Sequence, residues 1–142
     1  MDEVPVQVPP GFARHFRKSP LTDPWEPLYS KRTAEAVVIA LRLAVAHTNS
    51  RGFAHGGLIA ALADNAMGLT AGMRAAEPVG LLTVGLSVDF IGSCKIGQWL
   101  EFAPDFVKVG STLCFAHCFV TADGAPCARA NATFRVMPQT TR

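Results

Sequence analysis

The sequence predicts an α+β fold, one antiparallel sheet packed against one long helix. Three observations carry this. A single apolar segment of helical spacing runs over roughly residues 56–76. After Pro78, runs of period two alternate with turn residues. The order of elements is strand, helix, then four strands, and packing one sheet on one helix is the simplest way to bury such a set.

Taken in order, the first 30 residues are proline-rich and weakly periodic, which predicts an N-terminal arm over 1–30. A brief helix is expected from Pro10 to Lys18, with Phe12 and Phe16 on one face, followed by an extended stretch over 20–30. From Glu35 to Ala46, large residues (Val37, Ile39, Leu41) alternate with mostly smaller ones (Val38, Ala40), the mark of a strand. Asn49, Ser50 and Gly52 make His47–His55 a loop. In the helix that follows, Leu58, Leu62, Leu69 and Met73 are interleaved with small residues such as Ala60, Ala63 and Gly68. Small residues on the remaining faces let other backbone come close, so the helix is expected to be central and buried.

The later strands are expected over Leu82–Phe90, Trp99–Val109, Leu113–Thr121 and Cys127–Met137. Pro104 lacks a backbone donor, which predicts a bulge or an edge. Asp123-Gly124 predicts a hairpin. The four strands read as a meander, with residues 31–137 forming one domain and 138–142 a polar tail.

Composition narrows the function. The 142 residues carry 13 basic and 11 acidic side chains, a net charge of +2, which is too balanced to suggest nucleic acid. The apolar run Gly56–Met73 contains Asp64, Asn65 and four glycines, so no membrane span is expected. Residues 1–10 carry two acids and three prolines, the opposite of a secretory signal. The cytoplasm is therefore the expected compartment, with Cys94, Cys114, Cys118 and Cys127 reduced and buried. No histidine or cysteine spacing fits a metal site, and no cofactor motif or G-x-S-x-G elbow is present.

One segment stands apart: Asn49-Ser-Arg-Gly52-Phe-Ala-His55-Gly56-Gly57, then Asp64. Gly56 and Gly57 open the helix, where amides lack intrahelical partners and the dipole adds positive charge. Without side chains in the way, those amides can stabilise an oxyanion, although the two glycines also suit a tight start to a crowded helix. Asp64 sits among Leu62, Ala63 and Ala66, so it must be paired or shifted in pKa, as a structural cap or as a general base. Gly56 and Asp64 lie eight residues apart, about 12 Å along a helix. One reacting carbonyl cannot reach both on the same chain. If the two act together, Asp64 comes from a partner subunit, and two-fold symmetry then gives two sites.

The pattern Asn-x-x-Gly-x-x-His-Gly-Gly, with Asp nine residues after the His, resembles the hotdog-fold acyl-CoA thioesterases of the phenylacetate-degradation (PaaI-like) family. The resemblance spans roughly Val37 to Val136. It implies a helix wrapped by a curved antiparallel sheet, and homodimers that pair into tetramers. It also implies roles. The Gly56 amide would polarise the thioester carbonyl, with Gly57 beside it. Asn49 and His55 would position the thioester or water. The partner's Asp64 would act as general base or nucleophile, assisted by Thr83. Ser87 is a rival for that last role, four residues on and expected on the same face. Phe53, Leu58 and Leu62 are candidates for the acyl pocket, and Arg51, Arg74 and Lys95 for the phosphates of CoA. Two other readings share the fold: a non-catalytic acyl-CoA or acyl-carrier binding module, and a hydratase or dehydratase. The Asn49–Gly57 pattern speaks against the hydratase, and a carboxylate aimed at the thioester speaks against a pure binder.

Overall fold

The computed structural model describes residues 7–137. Seven strands form one antiparallel sheet: β1 Ala13–Arg14, β2 Tyr29–Arg32, β3 Val37–Arg42, β4 Gly80–Phe90, β5 Trp99–Val109, β6 Leu113–Ala122 and β7 Ala125–Met137. The helix α1 spans Gly56–Arg74, and the order across the sheet is β1-β2-β3-β5-β6-β7-β4. This is the hotdog arrangement. The polar tail expected over 138–142 lies outside the described residues.

Side chains alternate across the late strands as the sequence predicts. On β7, Ala128, Ala130, Ala132 and Phe134 are buried, while Arg129, Asn131 and Arg135 face water. The buried face of α1 (Leu58, Ile59, Leu62, Ala63, Ala66, Met67) packs onto that inner surface together with Ile39, Leu41 and Phe102. β3 is buried on both faces, Val38 and Ala40 included. Ala40 belongs to a second cluster on the outer face with Tyr29 and Trp99, against which Val8 and Phe12 pack. The Asp123-Gly124 hairpin forms with φ of 49° and 86° at its two central residues, the signature of a tight turn matched to strand twist. The pairing of β5 with β6 slips at Pro104, the expected bulge. All four cysteines are buried and free, and burial pushes the Cys118 thiol up to about 12.

Five expectations need correction. Pro10–Lys18 is not helical: a turn at Gly11 (φ +89°) leads into β1, whose register sets Ala13 opposite Ser30. Phe12 is spent on an edge-on contact with Trp99 (5.4 Å) rather than on a helix face. Over 20–30 the arm is not simply extended. A 3-10 turn at Asp23–Trp25 follows a knot of hydrogen bonds between Ser19 and Thr22. The strand from Glu35 to Ala46 contracts to β3, and Val45–His47 form a second 3-10 turn. The four late strands are not a simple meander. β5, β6 and β7 are, but β4 pairs with β7 at the far edge, so residues 91–98 must cross to reach β5. That crossing passes the start of the helix, where the Ala54 amide donates to the Cys94 carbonyl at 3.0 Å. The helix is buried on one side only: Ala60, Ala61, Gly68 and Gly72 remain partly open, and Asn65 is exposed.

Candidate active site

The loop before the helix is built around Asn49. Its Oδ1 accepts from the amides of Arg51 (2.9 Å) and Phe53 (3.2 Å), while its own amide donates to the Phe53 carbonyl at 2.8 Å. Gly52 sits at φ +82°, where a side chain would be strained. Phe53 bridges to Lys95 across the loop. The loop delivers His55 in extended backbone (φ −70°, ψ 131°) as the N-cap. His55 Nδ1 accepts from the Gly57 amide at 2.8 Å, so the proton of the neutral ring sits on Nε2. Gly57 is therefore occupied. Among the described residues the Gly56 amide has no partner. The two glycines thus differ: one amide closes the cap, and the other is left for a ligand. A Cβ on Gly56 would stand 3.1 Å from the Phe90 ring.

The buried His47 braces this region. Its Nδ1 accepts from the Ala44 amide at 2.9 Å, which leaves Nε2–H to donate to the Trp25 carbonyl at 2.8 Å. The arm is thereby tied to the loop that precedes the helix.

Two turns along α1, Asp64 is half-buried, and its Oδ1 accepts from the Thr83 hydroxyl at 2.7 Å. A register shift makes this possible. Thr83 lies opposite Phe134 and Gly85 opposite Thr133, so Val84 is an extra residue in β4. Before the bulge, Thr83 shares the inner face with Phe134. After it, Leu86 lies opposite the buried Ala132, and Ser87 lies opposite the exposed Asn131. Ser87 is consequently on the outer face, not on that of Thr83, and its rival claim fails. Thr83→Ala removes one hydrogen bond to a charged group, a loss of about 1.5–3 kcal/mol. It is expected to lower turnover by about 10- to 100-fold, read as kcat on a hydrolysed thioester.

Two cavities flank the helix and share no lining residue. One, of about 320 Å³, holds Asp64 and Thr83 and is walled by Leu62, Leu81 and Phe134. The other, of about 380 Å³, holds His55 and Gly57 with Leu58 and Trp25. Within one chain, then, the His55–Gly57 cap and the carboxylate face different spaces, as the helical rise requires, and Gly56 itself lines neither cavity. Phe53 lines neither cavity, and Arg51, Arg74 and Lys95 are exposed outside both. The cations that do line the Asp64 cavity are Arg17 and Lys18, beside His15 and Thr22. The arm thus walls both cavities, contributing Leu21 and Trp25 to the second. Sequence reasoning missed these arm residues. The signal was Ser19-Pro20-Leu-Thr22-Asp23-Pro24, whose turn chemistry folds the arm back instead of letting it run out.

A sheet curled on one helix, with a hydroxyl-braced carboxylate on that helix and a free amide at its start, defines a class equipped for acyl chemistry. Comparison with known proteins gives the family. The Thioesterase superfamily profile matches residues 51–128. The protein named "Putative esterase PA0474" from Pseudomonas aeruginosa is 39% identical over 112 residues, covering 78% of this chain and 84% of that one. Acyl-coenzyme A thioesterase 13 of Mus musculus is 30% identical over 114 residues, covering 79% and 74%. Among solved structures, an Asn→Asp mutant of the phenylacetic acid degradation protein PaaI from Thermus thermophilus superposes with a TM-score of 0.74. It is 22% identical, covering 84% of this chain and all of that one (100%), and the likeness is one of fold. The chain belongs to the thioesterase superfamily, has the hotdog fold, and is a thioester hydrolase.

Proposed function

We propose that this chain hydrolyses acyl-CoA to a free acid and CoA as a homodimer, each site joining Gly56 of one subunit to Asp64 of the other. The observation that carries the reading is the separation along the helix. The carboxylate with its Thr83 brace lines one cavity, while the unpartnered Gly56 amide opens α1 eight residues earlier and lines neither, so each is half of a site and they do not meet on one chain. The acyl-CoA substrate is inferred from the mouse relative's name.

The dimer is supported by β4. It is an 11-residue strand at the sheet edge, and among the described residues its outer side has no partner. Leu82, Val84, Leu86 and Phe90 on it are 41–57% exposed. A long apolar edge of this kind recruits another strand. Pairing with a second copy about a two-fold axis would extend the sheet and set the two helices side by side. Exposed Phe106, Phe115 and Phe119 on the outer face would suit a further pairing of dimers.

In the assembled site the thioester oxygen accepts from the Gly56 amide, where the helix dipole favours the charge that develops in the transition state. Asp64 takes the proton of a water attacking the carbonyl carbon. The Thr83 hydroxyl holds one carboxylate oxygen and fixes the direction of the other. The tetrahedral intermediate then expels the CoA thiolate. Arg17 and Lys18 are the cations that line the Asp64 side of the site, and Arg51 and Lys95, which belong to and bridge the loop before Gly56, are the candidates for the CoA phosphates on the other side. A purely binding module would have no use for the Asp64–Thr83 pair.

Thiol release from a panel of acyl-CoAs, run alongside sedimentation equilibrium, tests the reading. Hydrolysis by a dimer or a larger assembly is expected. A monomer that turns over thioesters would refute the shared site, and the absence of thiol release across the panel would refute the substrate class.

A further inference from the structure

The loop that delivers His55 is a small hairpin, and its last rung is His47. The Asn49 amide donates to the Phe53 carbonyl, Thr48 lies opposite Ala54, and the His55 amide donates to the His47 carbonyl at 2.9 Å. The crossing segment holds residues 53 and 54 from the other side: Phe53 bridges to Lys95, and the Ala54 amide donates to the Cys94 carbonyl. That second hold stops at Ala54. Among the described residues, His47 is the only backbone partner of His55 outside the helix.

The direction of the Gly56 amide depends on that rung. The peptide unit between His55 and Gly56 is planar, so its N–H turns with the ψ of His55, which stands at 131°. The His55 ring does not fix this angle directly, since its Nδ1 is engaged by the Gly57 amide. His47 is itself firmly held. It is 3% exposed, and its ring bonds at both nitrogens, accepting from the Ala44 amide and donating to the Trp25 carbonyl. The Ala44 bond is local, and the amides of His47 and Thr48 already close the same 3-10 turn onto the carbonyls of Ala44 and Val45. The Trp25 bond leaves the turn and reaches 22 residues back to the arm.

We infer that His47 is a positioning residue for the oxyanion donor: anchored to the arm at Trp25, it holds His55 so that the Gly56 amide keeps its aim. This rests on the thioesterase reading above. A neutral imidazole suits the task because one rigid ring supplies an acceptor at one edge and a donor at the other. Small displacements of such a donor are costly. Its bond strengthens as charge develops on the thioester oxygen, and a misplacement of about 1 Å lowers a rate by about 10²-fold. The arm then has a part in catalysis without touching the substrate: it fixes, through one side chain, the peptide unit that carries the free amide.

The test sets His47→Asn and His47→Gln against wild type on one hydrolysed acyl-CoA, each alone and combined with Gly56→Pro. Asparagine puts its Oδ1 near the place of Nδ1 and can keep the Ala44 bond. Glutamine puts its Nε2 near the place of the ring Nε2 and can keep the bond to the arm. His47→Asn is expected to lower kcat by about 10- to 100-fold with KM unchanged, the mark of an interaction made in the transition state. His47→Gln should lose clearly less, because its anchor survives. Proline at Gly56 removes the amide hydrogen itself, so beside it His47→Asn has nothing left to misplace and should cost no further kcat. Losses that multiply across the two positions would make His47 a structural residue and overturn the inference. Wild-type kcat in His47→Asn, a loss confined to KM, or a His47→Gln enzyme as slow as His47→Asn would overturn it too. If melting shows that His47→Asn does not fold, the same cycle is read from His47→Gln, which must lose kcat alone and none further beside the proline. If neither variant folds, His47 serves the fold and the inference falls. Multiplying losses with thiol release from wild type sink this inference alone, whereas no thiol release from any acyl-CoA sinks the thioesterase reading beneath it.

Discussion

Asp64→Asn is expected to lower thioester turnover by about 10²–10⁴-fold, the usual cost of losing a general base. The substitution is nearly isosteric. The new amide oxygen can still accept from the Thr83 hydroxyl, which now sits 2.7 Å from Oδ1. The side chain is half-buried beside a cavity, so the amide NH₂ can find water. Fold and assembly should therefore survive, checked by thermal melting and by sedimentation. What the amide cannot do is take a proton from an attacking water. The loss should appear in kcat and exceed that of Thr83→Ala, because the threonine acts through the carboxylate it orients. Near wild-type turnover in Asp64→Asn would make Asp64 a structural residue and remove the proposed mechanism.

Much of the architecture was legible because it rests on local rules. Period two in β5, β6 and β7, the Asp123-Gly124 turn and the bulge at Pro104 all follow from backbone chemistry within a few residues. The helix start was legible for the same reason, since capping by His55 and the paired glycines are local. What failed depended on distant partners. Nothing near Phe12 signals that Trp99, far along the chain, will take it from a helix face. The position of β4 beyond β7 is a topological choice that the strand itself does not encode. Thr83 and Ser87 are four residues apart, and strict alternation sets them on one face. Only the extra residue at Val84 separates them, and the pairing with β7 that creates the bulge is non-local. The arm's part in the cavities was hidden similarly: Arg17 and Lys18 come to line the Asp64 cavity only because the turn at Ser19–Thr22 folds the arm back.

Gly56→Pro isolates the other half of the site. Proline at the first helical position lacks only an amide hydrogen that has no intrahelical partner. The preceding residue must be extended, and His55 at ψ 131° already is. The ring of Phe90, 3.1 Å from where a Cβ would stand, has to yield by a few tenths of an ångström, and Phe90 is exposed enough to do so. The variant should fold, keep its assembly and lose about 10²–10³-fold in kcat, the cost of one oxyanion donor. Mixing then tells whether the site spans two subunits. Gly56→Pro and Asp64→Asn homodimers are each defective at both sites. In a mixed dimer, one site combines the proline with the asparagine and is dead. The other combines an intact Gly56 amide with an intact Asp64. If equal amounts of the two chains assemble at random, half the dimers are mixed and half their sites are whole, so about a quarter of wild-type turnover should return. Co-expression of the two variants with separate tags, followed by tandem purification of the mixed dimer, raises the expectation to about half. If Gly56 and Asp64 served the same carbonyl from one chain, every subunit would carry a lesion and the mixed dimer would stay as inactive as its parents. That result would overturn the shared site while leaving the thioesterase itself in place.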